Sequence, residues 1–152
     1  VFKYSNIGTV FAAYLASVFR LVNFEGLPLI ILLFIVSALA TLLLPTSITK
    51  WSIIAPIAIP VFMNAGITPE FAQIIFRFGE STTMGLTPIL AYFVIYLAFL
   101  NKNNQDEQPI SLFQAIKYQV PYACLSVIVF LILIVLWYIM GLPLGINGST
   151  VL

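Results

Sequence analysis

Three ionisable residues stand in strongly apolar surroundings: Lys50, Arg77 and Glu80. A charged side chain at membrane depth is costly unless it is paired or hydrated, so each is a candidate for function. Arg77 and Glu80 are three residues apart, on one face of a helix. As an ion pair they neutralise each other. Used separately, Arg77 offers a planar fork to a substrate carboxylate and Glu80 carries a coupling cation or proton. Both uses stay open as different points of one cycle. Lys50 has two readings beside Trp51. Either the lysine snorkels to water over a belt tryptophan, or Trp51 stacks on an aromatic substrate.

Hydroxyls cluster around these charges. Thr46, Ser47 and Thr49 precede Trp51, and Ser81, Thr82 and Thr83 follow Glu80. Helix capping is one use for them. The other is cation coordination, because hard cations take oxygen ligands from hydroxyls and from carbonyls freed at helix breaks. The residues point to an ion site of Thr46, Ser47, Glu80, Ser81, Thr82 and Thr83, with Na⁺ as the candidate ion. They also point to a substrate site that includes Ser47, Thr49, Trp51, Arg77 and Glu80. No cofactor is expected beyond a coupling Na⁺ or H⁺.

Composition says what must hold these groups. The chain is 62% hydrophobic and 7% charged, against about 25% charged in an ordinary soluble domain. It reads as an all-α integral membrane protein with lipid as its solvent. A surface-bound amphipathic protein would keep a strongly charged face. A net charge of +1 leaves no footprint for nucleic acid, and no His with one Cys excludes the usual zinc and disulfide constellations. Cys124 is expected to be a small buried packing residue. No Ser–His or metal constellation supports an enzyme. No basic leader marks a signal peptide, and the few long apolar segments suggest the C-terminal part of a longer transporter.

The elements follow from apolar runs and breakers. Residues 1–24 read as an interfacial helix, then "NFEGLP" turns the chain. Leu27 to Leu44 is an uninterrupted apolar run, Pro45 to Lys50 is polar, and Ser52 to Met63 is a short apolar return containing Pro56 and Pro60. A helix, a polar tip and a return helix make a re-entrant hairpin over 27–64, since irregular backbone at membrane depth needs protein or a wet cavity around it. "NAGITPE" is the next turn, with Pro69 opening a helix. A broken transmembrane helix is predicted over 69–100: a half-helix from Glu70 to Gly79, a break from Arg77 to Pro88, and a second half from Ile89 to Leu100. Asn101 to Pro109 is a hydrophilic loop. Leu112 to Tyr118 looks amphipathic, and a final span runs over 119–141, with Trp137 and Tyr138 as its interfacial belt. Lys102 and Lys117 place that loop in the cytoplasm by the positive-inside rule.

The stretch from Lys50 to Phe93 resembles the C-terminal core of the AbgT-type aminobenzoyl-glutamate transporters. The matching pieces are Lys50-Trp51 with Ala55-Pro56, Pro69-Glu70, the run Arg77-Phe78-Gly79-Glu80-Ser81-Thr82-Thr83, and Thr87-Pro88. "SNIGTVFAAYLASVF" upstream and the terminal "GLPLG" extend the resemblance over nearly the whole chain. It implies one repeat of an inverted-repeat secondary transporter, homodimeric when full-length, in the bacterial inner membrane. It implies p-aminobenzoyl-glutamate or similar aromatic carboxylates as substrate, or sulfonamide-like drugs as export cargo, driven by a cation gradient. By motif, Trp51, Arg77, Glu80 and Pro88 fall on positions around the substrate. The chain departs at Glu80, where the family usually has Asp, and at Ile48, where it has a serine three before the tryptophan. A related short-chain carboxylate, amino-acid or peptide carrier, or a non-functional truncated membrane fragment, are the alternatives.

Overall fold

The computed structural model of the protein describes residues 14, 26–44, 46–104, 108–145 and 148–151. The interfacial helix expected over 1–24, Tyr14 apart, and Pro45 of the expected tip lie outside the described residues. The named helices are α1 (Leu27–Leu43), α2 (Ser47–Asn64), α3 (Pro69–Thr83), α4 (Ala91–Asn103) and α5 (Leu112–Met140), with a 3₁₀ turn at Met84–Leu86.

α1 is apolar throughout except for Ser37 and Thr41, four residues apart and both fully buried. It starts after Gly26, whose φ of 68° favours glycine and whose absent Cβ would lie 3.1 Å from the Tyr138 hydroxyl. The turn after α1 is shorter than the sequence suggests. Pro45 to Lys50 is expected outside helix, yet α2 begins at Ser47, so Ser47, Thr49 and Lys50 are helical. Nothing from Ser47 to Trp51 breaks a helix. In apolar surroundings a helical backbone also satisfies its own N–H and C=O groups. α2 then runs back along α1. Leu29 and Leu33 of α1 share a core with Ala58, Val61 and Phe62 of α2, while Lys50 near the turn reaches Thr41.

Thr68 caps α3 by accepting from the Phe71 N–H at 3.4 Å, and Pro69 occupies the first turn. The break in this segment is also shorter than expected. The helix passes Arg77 and Gly79 and continues to Thr83, so Arg77, Glu80, Ser81, Thr82 and Thr83 all sit on helix. Gly79 is a packing glycine and not a breaker. A Cβ there would overlap the Ser37 hydroxyl and the Phe34 carbonyl of α1. α1 and α3 therefore touch backbone to side chain, as small residues allow between membrane helices. Only 87–90 are left irregular between the 3₁₀ turn and α4.

The last helix is longer than the predicted span. α5 covers 29 residues as one helix, with Pro121 inside it. Ser111 and Gln114 form a reciprocal capping box at its start, and Gly141 at φ 60° ends it. Phe71 stacks on Tyr138 at 6.2 Å, and Phe78 meets Phe130 at 4.9 Å, which seats α5 on α3. Cys124 is exposed, contrary to the packing role expected for it, because it lies on a face of α5 turned away from the other described helices. The tail returns to the start of α3: Ile67 bridges Val151, and the Thr68 hydroxyl donates to the Ser149 carbonyl at 2.7 Å.

Among the described residues, two helical stretches are long and apolar enough to cross a membrane. They are Pro69–Asn103, 35 residues with an irregular stretch at 87–90, and Leu112–Met140, 29 residues.

The Gly79 contact gives the first prediction. Gly79→Ala is expected to push α1 from α3 and cost about 1–3 kcal/mol, the range for overpacking. Gly85→Ala is the control, since its Cβ would meet nothing closer than 3.6 Å. Thermal unfolding in detergent should show a lower Tm for Gly79→Ala alone; equal Tm values would refute the close approach.

Candidate functional site

The polar residues of these greasy helices converge where the α1–α2 turn meets α3. Glu80 is the centre. Its side chain is 3% exposed, and its Oε1 lies 2.8 Å from Lys50 Nζ, whose side chain is 0% exposed. The Ser47 hydroxyl donates to the same Oε1. Arg77 Nη1 reaches the other oxygen, Oε2, at 3.3 Å. The carboxylate also sits beside the first turn of α2, where the helix dipole favours a negative charge.

The two cations differ in kind. Lys50 is sealed in, and its ammonium also donates to Thr41 Oγ1 at 2.8 Å. The Arg77 side chain is 46% exposed and holds Glu80 through one nitrogen at a longer distance. Formally the cluster carries two positive charges and one negative, leaving one positive charge in surplus at its open side. Lysine therefore serves as the counter-ion and arginine as the accessible donor.

A hydroxyl relay joins this cluster to the helix break. Thr41 Oγ1 donates to the Ser37 carbonyl at 2.7 Å, and the Thr41 carbonyl accepts from the Thr87 hydroxyl at 3.1 Å. Thr83 Oγ1 donates to the Ala38 carbonyl at 2.7 Å. Each bond gives a buried polar group a partner in a region without water to supply one. Beyond Thr87 a cavity of about 400 Å³ opens, lined among others by Tyr92, Phe93, Tyr96 and Gln119.

The other residues singled out in the sequence are placed as follows. Ser47, Arg77 and Glu80 come together. Thr46 is the exposed N-cap of α2 and its side chain caps no backbone N–H, and Thr49 is exposed on α2. Trp51 packs on Phe76, ring centroids 4.9 Å apart at 45°. Ser81 donates to the Arg77 carbonyl at 2.8 Å, and Thr82 to the Gly79 carbonyl at 2.7 Å. Their oxygens retain lone pairs, but both hydroxyl protons are spent on their own helix. Pro88 is exposed beside Thr87 in the irregular segment.

Lys50 does not snorkel. It turns inward to Glu80, which sequence reasoning missed, together with Thr41, Ser37 and Thr87. One signal was present: Ser37 and Thr41 are four apart in an otherwise apolar helix, so they share a face that needs a polar partner.

A model of the AbgT putative transporter family matches residues 1–152. The chain belongs to the AbgT family. It is 30% identical over 145 residues to the p-aminobenzoyl-glutamate transport protein of Escherichia coli (strain K12), covering 95% of this chain and 28% of that one. It is similar in structure to the YdaH transporter of Alcanivorax borkumensis, with a TM-score of 0.86 and 32% identity over 95% of this chain and 30% of that one. MtrF of Neisseria gonorrhoeae, which illuminates a class of antimetabolite efflux pumps, matches with a TM-score of 0.82 and 28% identity, over 97% of this chain and 28% of that one. The AbgT chain thus spans under a third of the length of these relatives. The relatives are transporters and not enzymes. Family and apolar helices together make this an integral membrane protein.

The contrast between the two cations yields a second prediction. Lys50→Ala leaves Glu80 buried with its main partner gone, and should cost about 3–5 kcal/mol. Arg77→Ala removes a half-exposed contact and should cost no more than about 1 kcal/mol. Chemical unfolding of both variants checks the order, and a larger loss for Arg77→Ala would contradict it.

Proposed function

We propose that this chain is the C-terminal repeat of a secondary active transporter for p-aminobenzoyl-glutamate or a similar aromatic carboxylate, driven by a cation gradient. The observation that carries the reading is Arg77. Its half-exposed guanidinium is held by one nitrogen to a carboxylate whose charge Lys50 already matches. Such an arginine is available to a second carboxylate, and its planar fork suits one. The surplus positive charge favours an anion at the same place. The aromatic lining of the cavity beside Thr87 suits the ring of such a substrate, since Tyr92, Phe93 and Tyr96 offer flat apolar faces. Ser47 shares Glu80 with Arg77, and Trp51, Thr49 and Pro88 complete the substrate set on this reading.

On this reading Glu80, with hydroxyls from Ser47 and from Thr46, Ser81, Thr82 and Thr83 nearby in sequence, is the seat of the coupling cation, Na⁺ or H⁺. The α1–α2 hairpin is re-entrant, and the α3–α4 segment is the discontinuous transmembrane helix whose freed backbone groups border the substrate. The full-length protein is a homodimer of the bacterial inner membrane with a second, inverted repeat outside this chain. The curated E. coli relative supports the substrate class, and the MtrF match supports export as a direction to test.

Uptake and efflux of labelled p-aminobenzoyl-glutamate should be followed in cells expressing the whole locus, with and without a Na⁺ gradient. Arg77→Ala is expected to abolish transport while the protein remains in the membrane, and Arg77→Lys to retain a minor fraction through its charge alone. Full transport by Arg77→Ala would sink the carboxylate role. Topology has its own test: single cysteines at Leu27 and Gly66 should label from one side of the membrane, and labelling from opposite sides would rule out a re-entrant hairpin.

A further inference from the structure

The transport reading gives Lys50 no task beyond charge balance, yet its placement is specific. The ammonium stands between two oxygens, 2.8 Å from Glu80 Oε1 and 2.8 Å from Thr41 Oγ1, with the Ser47 hydroxyl on the same Oε1. A carboxylate and two hydroxyls, drawn from α3, α1 and α2, are the oxygen set a hard monovalent cation would take. Lys50 already occupies it. A second cation on Oε1 would face the ammonium at close range, where a low dielectric makes like-charge repulsion large. It would also raise the formal charge of the cluster from one surplus positive to two.

We propose that Lys50 is a tethered counter-ion in the cation position of Glu80, so that Na⁺ reaches this carboxylate only by displacing the ammonium. The inference rests on the proposed role of Glu80 in cation coupling. Displacement has a mechanical consequence. Lys50 and Ser47 are the α2 groups bound to Glu80 of α3, so moving the ammonium loosens the hairpin turn from that helix. Thr41 loses its ammonium donor at the same moment, while its carbonyl remains bonded to Thr87 at the break. Cation loading is therefore felt at the turn, where the ammonium leaves both Glu80 and Thr41. Lys50 is a positioning residue, and the cation ligands are the oxygens around it.

The test is equilibrium binding of radiolabelled Na⁺ to the full-length protein in detergent, comparing wild type with Lys50→Gln and Lys50→Arg. Lys50→Gln keeps a hydrogen-bond donor without the charge and should bind Na⁺ roughly tenfold more tightly, in keeping with the coupling energies of close charge pairs. Lys50→Arg holds Glu80 with a bidentate fork and should bind Na⁺ several-fold more weakly, in line with that geometry. A merely structural lysine would not move the two variants in opposite directions. Unchanged or weaker Na⁺ binding in Lys50→Gln overturns the proposal, as does the absence of Na⁺ binding in all three proteins. If Lys50→Gln does not fold, the arginine variant decides: binding equal to or tighter than wild type overturns it. No organic substrate enters this assay. Failure to carry p-aminobenzoyl-glutamate with these Na⁺ shifts intact would sink the substrate reading and leave the counter-ion standing.

Discussion

Two opposite charges buried in an apolar chain govern this structure. Lys50 and Glu80 cannot stay at that depth apart, because an uncompensated charge there costs more than most single contacts return. Each therefore dictates where its helix must go. Lys50 lies one turn into α2 and Glu80 near the end of α3, so their contact at 2.8 Å clamps the hairpin turn against the second half of α3. The residues that make this geometry reachable are small or hydroxylic. Gly79 lets α1 and α3 approach closely, Thr41 shares the ammonium, and Ser47 shares the carboxylate.

The same constraint explains why the polar residues of the chain are gathered and not dispersed. In lipid, a hydroxyl or a backbone carbonyl finds no water, so partners must come from neighbouring helices. Thr83 and Thr87 answer carbonyls of α1, at Ala38 and Thr41, and so tie both sides of the 3₁₀ turn to one helix. The break is thereby held in register with the ion pair. Arg77 stands at the edge of this arrangement, joined to Glu80 but half open. A buried lysine in the balancing role is what leaves the arginine half open without stranding the acid.

Much is legible in the residues themselves. Composition alone fixes the solvent as lipid, since a 62% hydrophobic chain with 7% charged residues has too little polar surface for water. Proline, glycine and hydroxyl clusters mark the two interruptions, and the i, i+3 spacing of Arg77 and Glu80 places them on one helical face. Those are local facts, set by the backbone and by side-chain chemistry over a few residues. The extents of the interruptions were not legible. Gly79 looks like a breaker until α1 is seen lying against it, and Ser47 to Lys50 look like a loop until the surroundings require backbone self-satisfaction. The partner of Lys50 was equally hidden, because it lies 30 positions away and nothing within a few residues of Lys50 distinguishes a lysine that reaches water from one that meets an acid. Sequence by itself determined which residues could not be left alone in a membrane. Tertiary structure decided which of them satisfy one another, because pairing across helices depends on packing distances that no local pattern encodes.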